Sequence, residues 1–150
     1  MIERGGRLVL AAVSLLVCAV TAVAGPLQDD LKARRGRLME KLGPNALAIV
    51  WSAEPKVYSL DTDYEFRQDS NMLYLTGIVQ EGAILVLMPG NRTNKEILFV
   101  REPNARREHW NGHMLTKDEA AAASGIKTVY YAGDFESFVT AMFNRRPYAA

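Results

Sequence analysis

The sequence predicts an α/β domain, a mixed β-sheet flanked by helices. Three observations carry that expectation. Segments of helical periodicity alternate with short apolar runs, and cap and turn residues fall at the seams between them. The composition, 49% hydrophobic and 23% charged, is that of a globular chain and not of a disordered or repetitive one. The length of 150 residues suits one domain and not two of ordinary size.

The first 24 residues read as a separate object. Arg4 and Arg7 form a basic start, Leu8 to Val23 is apolar, and Ala22-Val23-Ala24 supplies small residues before Gly25-Pro26. This is the pattern of a secretory signal peptide with an A-x-A site, so residues 1–24 are expected to be removed and 25–150 to form the exported domain, secreted or periplasmic. The apolar run of 16 residues is shorter than the roughly 20 that span a bilayer, so no membrane attachment is expected after cleavage. Cys18 is the only cysteine and leaves with this segment. The remaining core is expected to hold without a disulfide.

Along the rest of the chain, Leu27, Leu31, Leu38 and Leu42 share a helical face, with Pro26 suited to the first turn and Gly43-Pro44 to the stop. Ala46 to Trp51 reads as a buried strand, and Ser52 to Asp63 as a loop or irregular strand, because Pro55 argues against a central position. Ser70 is expected to cap a short helical turn that Gly77 ends in a left-handed conformation. Ala83 to Met88 and Lys95 to Arg101, joined by Pro89-Gly90-Asn91, read as a hairpin. Thr116 and Glu119 form a capping box before an alanine-rich helix that ends at Gly125. Lys127 to Tyr131 is a further strand, and Asp134 is expected to cap a last helix with a stripe of Phe135, Phe138, Val139, Met142 and Phe143.

The net charge is +1, and the arginine pairs Arg34-Arg35, Arg106-Arg107 and Arg145-Arg146 are short and scattered. They read as solvated faces, so no nucleic-acid partner is expected. His109 and His113 stand four apart, but Asn111-Gly112 between them disfavours a helix and no third ligand is spaced to join them. Both are expected in a surface loop. Asp61, Asp63, Glu65 and Asp69 begin like a calcium loop, yet Phe66 stands where the turn needs glycine and Met72 where a closing glutamate belongs. They read as a solvated acidic loop. No G-x-S-x-G elbow and no glycine-rich phosphate loop is present. Neither a catalytic residue nor a metal ligand is therefore expected in this chain. Asn91-Arg92-Thr93 fits the acceptor pattern for N-glycosylation. Trp110, between Glu108 and Asn111 in an expected loop, is either a core anchor or an interface and pocket residue.

Three segments carry a resemblance. Tyr64 to Gly77, with Arg67-Gln68-Asp69-Ser70 leading to Leu75-Thr76-Gly77, is similar to the central motif of the N-terminal domain of aminopeptidase P. Ala83 to Gly90 resembles the strand that follows, and Leu98 to Glu102 with Arg107 to Gly112 resembles the next strand and a Glu-x-Trp-x-Gly loop. The match runs in order from about Arg35 to about Phe143. The resemblance implies a creatinase/aminopeptidase P N-terminal-domain-like fold. It also implies a C-terminal catalytic domain, not contained in this chain, that holds two divalent metal ions, usually manganese, and removes the residue before a proline at the second position of a peptide. The N-domain is then expected to shape the pocket mouth and make contacts in a homo-oligomer, with Trp110 reaching the substrate pocket of a neighbouring subunit. Gln80-Glu81-Gly82 departs from an acidic residue and proline, and His113-Met114 from arginines, which leaves substrate contacts and strict prolyl specificity open. Prolidases and creatinase share the two-domain plan. A stand-alone exported binding module is the alternative from another class.

Overall fold

The computed structural model describes residues 25–60 and 62–144. The expected leader, Asp61 and the Arg145-Arg146 pair lie outside them. Helix α1, Pro26–Leu42, starts with proline in its first turn and stops where Gly43 takes φ 77°. Strand β1 is Ala48–Trp51, and β2, Val57–Ser59, pairs with β3, Thr62–Asp63, as a small exposed ribbon apart from the main sheet. Helix α2, Ser70–Thr76, is followed by β4, Ile84–Leu87, and β5, Glu96–Val100. Helix α3, Ala105–Asn111, and α4, Lys117–Ser124, lead to β6, Val129–Tyr131. One 3-10 turn, Ala132–Asp134, then opens α5, Phe135–Phe143.

The main sheet has the order β1-β4-β5-β6, with β1 and β5 antiparallel to β4, and β6 parallel to β5. It is the mixed sheet with flanking helices that the sequence predicts. The hairpin of β4 and β5 turns tightly, and a side chain on Gly90 would bring a Cβ within 2.1 Å of the Pro44 carbonyl oxygen. Glycine is required there by the close backbone approach.

The apolar runs in β4 and β5 are continuous because both sheet faces are covered. Leu85, Leu87, Leu98 and Val100 point to one side, where they meet Met72, Leu75 and Ile78 of the α2 region, Ala120 of α4 and Ile126. Ile84, Val86, Ile97 and Phe99 point to the other, where Phe138 of α5 is buried among them. Phe99 is ringed by Phe135, Phe138 and Tyr130 at centroid distances of 5.2, 5.4 and 5.7 Å, within the range at which aromatic pairs attract. Phe143, expected in the same stripe, is exposed.

Helices α2 and α4 end alike. Thr76 and Ser124 each donate a hydroxyl to the carbonyl four residues back and accept the N–H of Ile78 and Ile126. Gly77 and Gly125 between them sit left-handed at φ 69° and 71°. The twin sequences Thr-Gly-Ile and Ser-Gly-Ile thus turn the chain and drop a buried isoleucine into the core.

Four expectations need correction. Arg35 is not on a solvated face: it is fully buried in the gap between Leu31 and Leu38. Its Nη1 donates to the carbonyls of Leu75 and Ser124, in the last turns of α2 and α4, at 2.9 and 3.1 Å. Helix ends leave such carbonyls without internal partners, and a cation suits the negative end of the dipole. The cap of α2 is Asp69, not Ser70: its carboxylate accepts from Asn71 N and Met72 N. Asp134 holds the N-cap position of α5 without a side-chain capping bond, since the preceding 3-10 turn already sets the helix entry. Finally, residues 105–111 are helical, so His109 and Trp110 lie on α3 and not in a loop.

Candidate functional site: the Trp110 turn

Helix α3 forms because Asn104 caps it, accepting from Arg106 N and Arg107 N, and because Ala-Arg-Arg-Glu are good helix formers. Asn111 is its last residue, and Gly112 at φ 83° breaks it. Trp110 therefore stands on the final turn, 78% exposed. The His109 ring meets it edge-on with centroids 5.0 Å apart. An exposed tryptophan at a helix end is not a core anchor, and the core-or-surface alternative resolves to the surface.

The turn beneath Trp110 is tied at several points. Glu108 Oε1 accepts the backbone N–H of Met114 at 2.9 Å, which closes residues 108–114 into a ring. Met114 is buried and anchors the returning chain. Glu81 pairs with Arg101 and lies 3.4 Å from Arg107 of α3. His113 sits between two carboxylates, with Nδ1 3.3 Å from Glu108 Oε1 and Nε2 3.0 Å from Glu119 Oε1. Glu119 also completes the expected capping box by accepting Thr116 N at 2.8 Å and the Thr116 hydroxyl at 2.9 Å. These bonds, the Thr116 backbone first, then its hydroxyl and then His113, hold the Glu119 carboxyl below its ordinary pKa.

Two glutamines connect this turn to the Arg67-Gln68 motif. Gln68 is nearly buried; its Oε1 accepts from Ala53 N and Asp69 N, and its Nε2 donates to the Gln80 carbonyl. The Gln80 side chain donates to Arg101 O at 3.4 Å and accepts Leu115 N at 2.6 Å. A relay of hydrogen bonds thus runs from the motif to the segment that follows Trp110. Gly82, where the family pattern often has proline, takes φ 71°, and an added Cβ would lie 2.9 Å from Arg101 Nε. Proline fixes φ near −65°, so that departure from the pattern comes with a different local backbone.

His109 and His113 are not joined at one centre. The helix break at Gly112 leaves His109 against Trp110 and turns His113 to the two glutamates. Among the described residues no three His, Cys, Asp or Glu side chains converge as metal ligands. The residues present do not fit a pair of divalent metals. Of the acidic run, Asp63 and Glu65 are exposed and Asp69 serves as a helix cap, while Asp61 is not described. Sequence reasoning missed α3, Gln80 and His113 as parts of one assembly. Asn104 before Ala-Arg-Arg-Glu and Gly112 after it were the signal for the helix; the contacts made by Gln80 and His113 span separate elements and leave no local pattern.

The sequence model of the family described as aminopeptidase P, N-terminal domain, matches residues 31–149. The chain is 31% identical over 108 residues to the Xaa-Pro aminopeptidase of Haemophilus influenzae, covering 72% of this chain and 25% of that protein. It is 32% identical over 127 residues to human Xaa-Pro aminopeptidase 3, covering 77% of this chain and 25% of that one. Among solved structures, Pseudomonas aeruginosa aminopeptidase PepP superimposes with a TM-score of 0.71 at 29% identity, over 80% of this chain and 27% of that one. A zinc-substituted E. coli aminopeptidase P in complex with product superimposes with a TM-score of 0.69 at 27% identity, over 75% of this chain and 26% of that one. The chain belongs to the aminopeptidase P N-terminal domain family. It spans about a quarter of the length of the relatives that it matches.

Proposed function

We propose that this chain acts as the non-catalytic N-terminal domain of an exported, metal-dependent Xaa-Pro aminopeptidase. Its partner is a C-terminal catalytic domain that brings two divalent metal ions, manganese by expectation, and cleaves peptides with proline at the second position. When bound there, the metals supply a hydroxide nucleophile and polarise the scissile carbonyl. The present residues do other work. They present Trp110 to the substrate pocket of a neighbouring subunit in a homo-oligomer, and they shape the mouth of that pocket. Residues 1–24 act as the export signal.

The observation that carries this reading is the presentation of Trp110. A large aromatic ring is left exposed on a turn that Glu108, Met114, Glu81 and Gln80 otherwise fasten to the core. Exposure of this kind, on a rigid support and within a matched family motif, is what a docking side chain needs. The test is hydrolysis of an Xaa-Pro peptide. The chain alone, with or without added manganese, is expected to give no turnover. Joined to a catalytic domain, it is expected to support turnover that Trp110→Ala weakens mainly through KM. Metal-dependent turnover by the chain alone would overturn the non-catalytic reading, and an unchanged KM in Trp110→Ala would overturn the pocket reading.

A further inference from the structure

The inference below deepens the pocket reading of Trp110 and rests on it. His113 stands where arginines often follow the tryptophan motif in the family, and both of its ring nitrogens lie on carboxylates. A neutral imidazole has one N–H and one lone pair, so it can donate to only one of two carboxylates; the imidazolium donates to both. The charged groups that face the ring are Glu108 from α3 and Glu119 from α4. The other charged neighbours on these elements are engaged elsewhere: Arg107 lies by Glu81, and Lys117 over the Tyr131 ring.

We propose that His113 is a positioning residue for Trp110: as the imidazolium it clamps Glu108 to Glu119, and so fixes the α3 turn on the core helix α4, while loss of its proton releases one side of the clamp. Glu108 is two residues before Trp110 and also holds Met114 N, so movement of its carboxylate is passed directly to the turn that carries the indole. Glu119 is held independently by Thr116, which makes α4 the fixed jaw and α3 the moving one. The Glu119 carboxyl, kept low by these donors, stays ionised throughout the interval from pH 5 to 8 in which imidazoles change charge. The pocket is thereby sensitive to pH through a residue that does not touch substrate.

The first test is NMR of the chain itself, following the indole N–H of Trp110 from pH 5 to 8, with Trp51→Phe to assign the two indole signals. The Trp110 signal is expected to move through one transition. That transition should vanish in His113→Gln, persist in His109→Gln, and be replaced in His113→Arg by a constant signal near its low-pH position. A pH-independent signal in the unaltered chain, or a transition that His109→Gln removes and His113→Gln keeps, overturns the proposal. The second test uses the metal-loaded full-length enzyme. Exposed ion pairs are worth little, so the KM ratio of the unaltered enzyme to His113→Arg is expected to rise at most about fivefold between pH 6 and 8, with the corresponding kcat ratio flat. A flat KM ratio overturns the link to the pocket. If the indole responds while Trp110→Ala leaves KM unchanged, the clamp stands and the pocket reading fails.

Discussion

Arg35 of α1 and Glu96 of β5 meet inside the protein, with Nη2 3.0 Å from Oε2, although the arginine side chain is completely shielded from solvent. The approach lies off the line of the N–H bonds, so it is a charge contact and not a hydrogen bond; Nε has no hydrogen-bond partner either. The Leu75 and Ser124 carbonyls satisfy Nη1 only. Removing the carboxylate would leave a buried cation without its counter-charge. Glu96→Ala is expected to lower stability by about 3 kcal/mol, read as a fall in the urea midpoint at unchanged slope. A loss below about 1 kcal/mol would mean that the two carbonyls suffice to hold the guanidinium.

The twin helix ends give a paired prediction. Thr76→Val and Ser124→Ala each leave the N–H of a buried isoleucine without its acceptor, at a cost of about 1–3 kcal/mol. The two sites lie on separate helices but share Arg35 through adjacent carbonyls. Their double variant is therefore expected to depart from additivity, which a denaturation cycle measures.

Gly82→Pro, a change toward the family pattern, is expected to destabilise this chain by about 2 kcal/mol or more, because proline cannot adopt φ 71°. The thermal midpoint checks it. A neutral result would mean that the turn at residues 80–82 can refold around Arg101.

The Glu119 carboxyl has a lowered pKa in the folded state, so its contribution to stability is complete above the unfolded value of about 4.3 and is lost as pH falls through the lower folded one. Thr116→Ala removes one donor and brings the folded value back toward the unfolded one. The variant is expected to be less stable than the unaltered chain at pH 7, with the gap narrowing steadily below about pH 4. Denaturant titrations at a series of pH values would reveal this, and a gap independent of pH would show that the hydroxyl acts only as a backbone cap.

Trp110→Ala is expected to leave stability within about 0.5 kcal/mol, since the indole is exposed and packs chiefly on His109. Calorimetry on the two proteins decides it. A large loss would make Trp110 a structural residue.

The sheet and its helices were legible because each leaves a local trace: continuous apolar runs in β4 and β5, the capping box at Thr116, and left-handed glycines at 77 and 125. Arg35 was not, because a charged residue next to Arg34 reads as solvent-facing and only the ends of two distant helices make its burial tolerable. Trp110 stood out by its motif, but its support did not. Gln80, 35 residues from its partner Leu115, and Glu81, 26 from Arg107, act across the fold, where sequence spacing carries no signal.

Both rims of the main sheet are brief: β1 offers four residues and β6 three. The first runs out toward Pro55 and the second is bent away by the 3-10 turn. A rim this short gives a second chain few backbone groups to pair with. Strand addition, the common route by which sheet proteins polymerise, therefore has little purchase here. Contacts with other subunits are left to side chains on turns and helix ends.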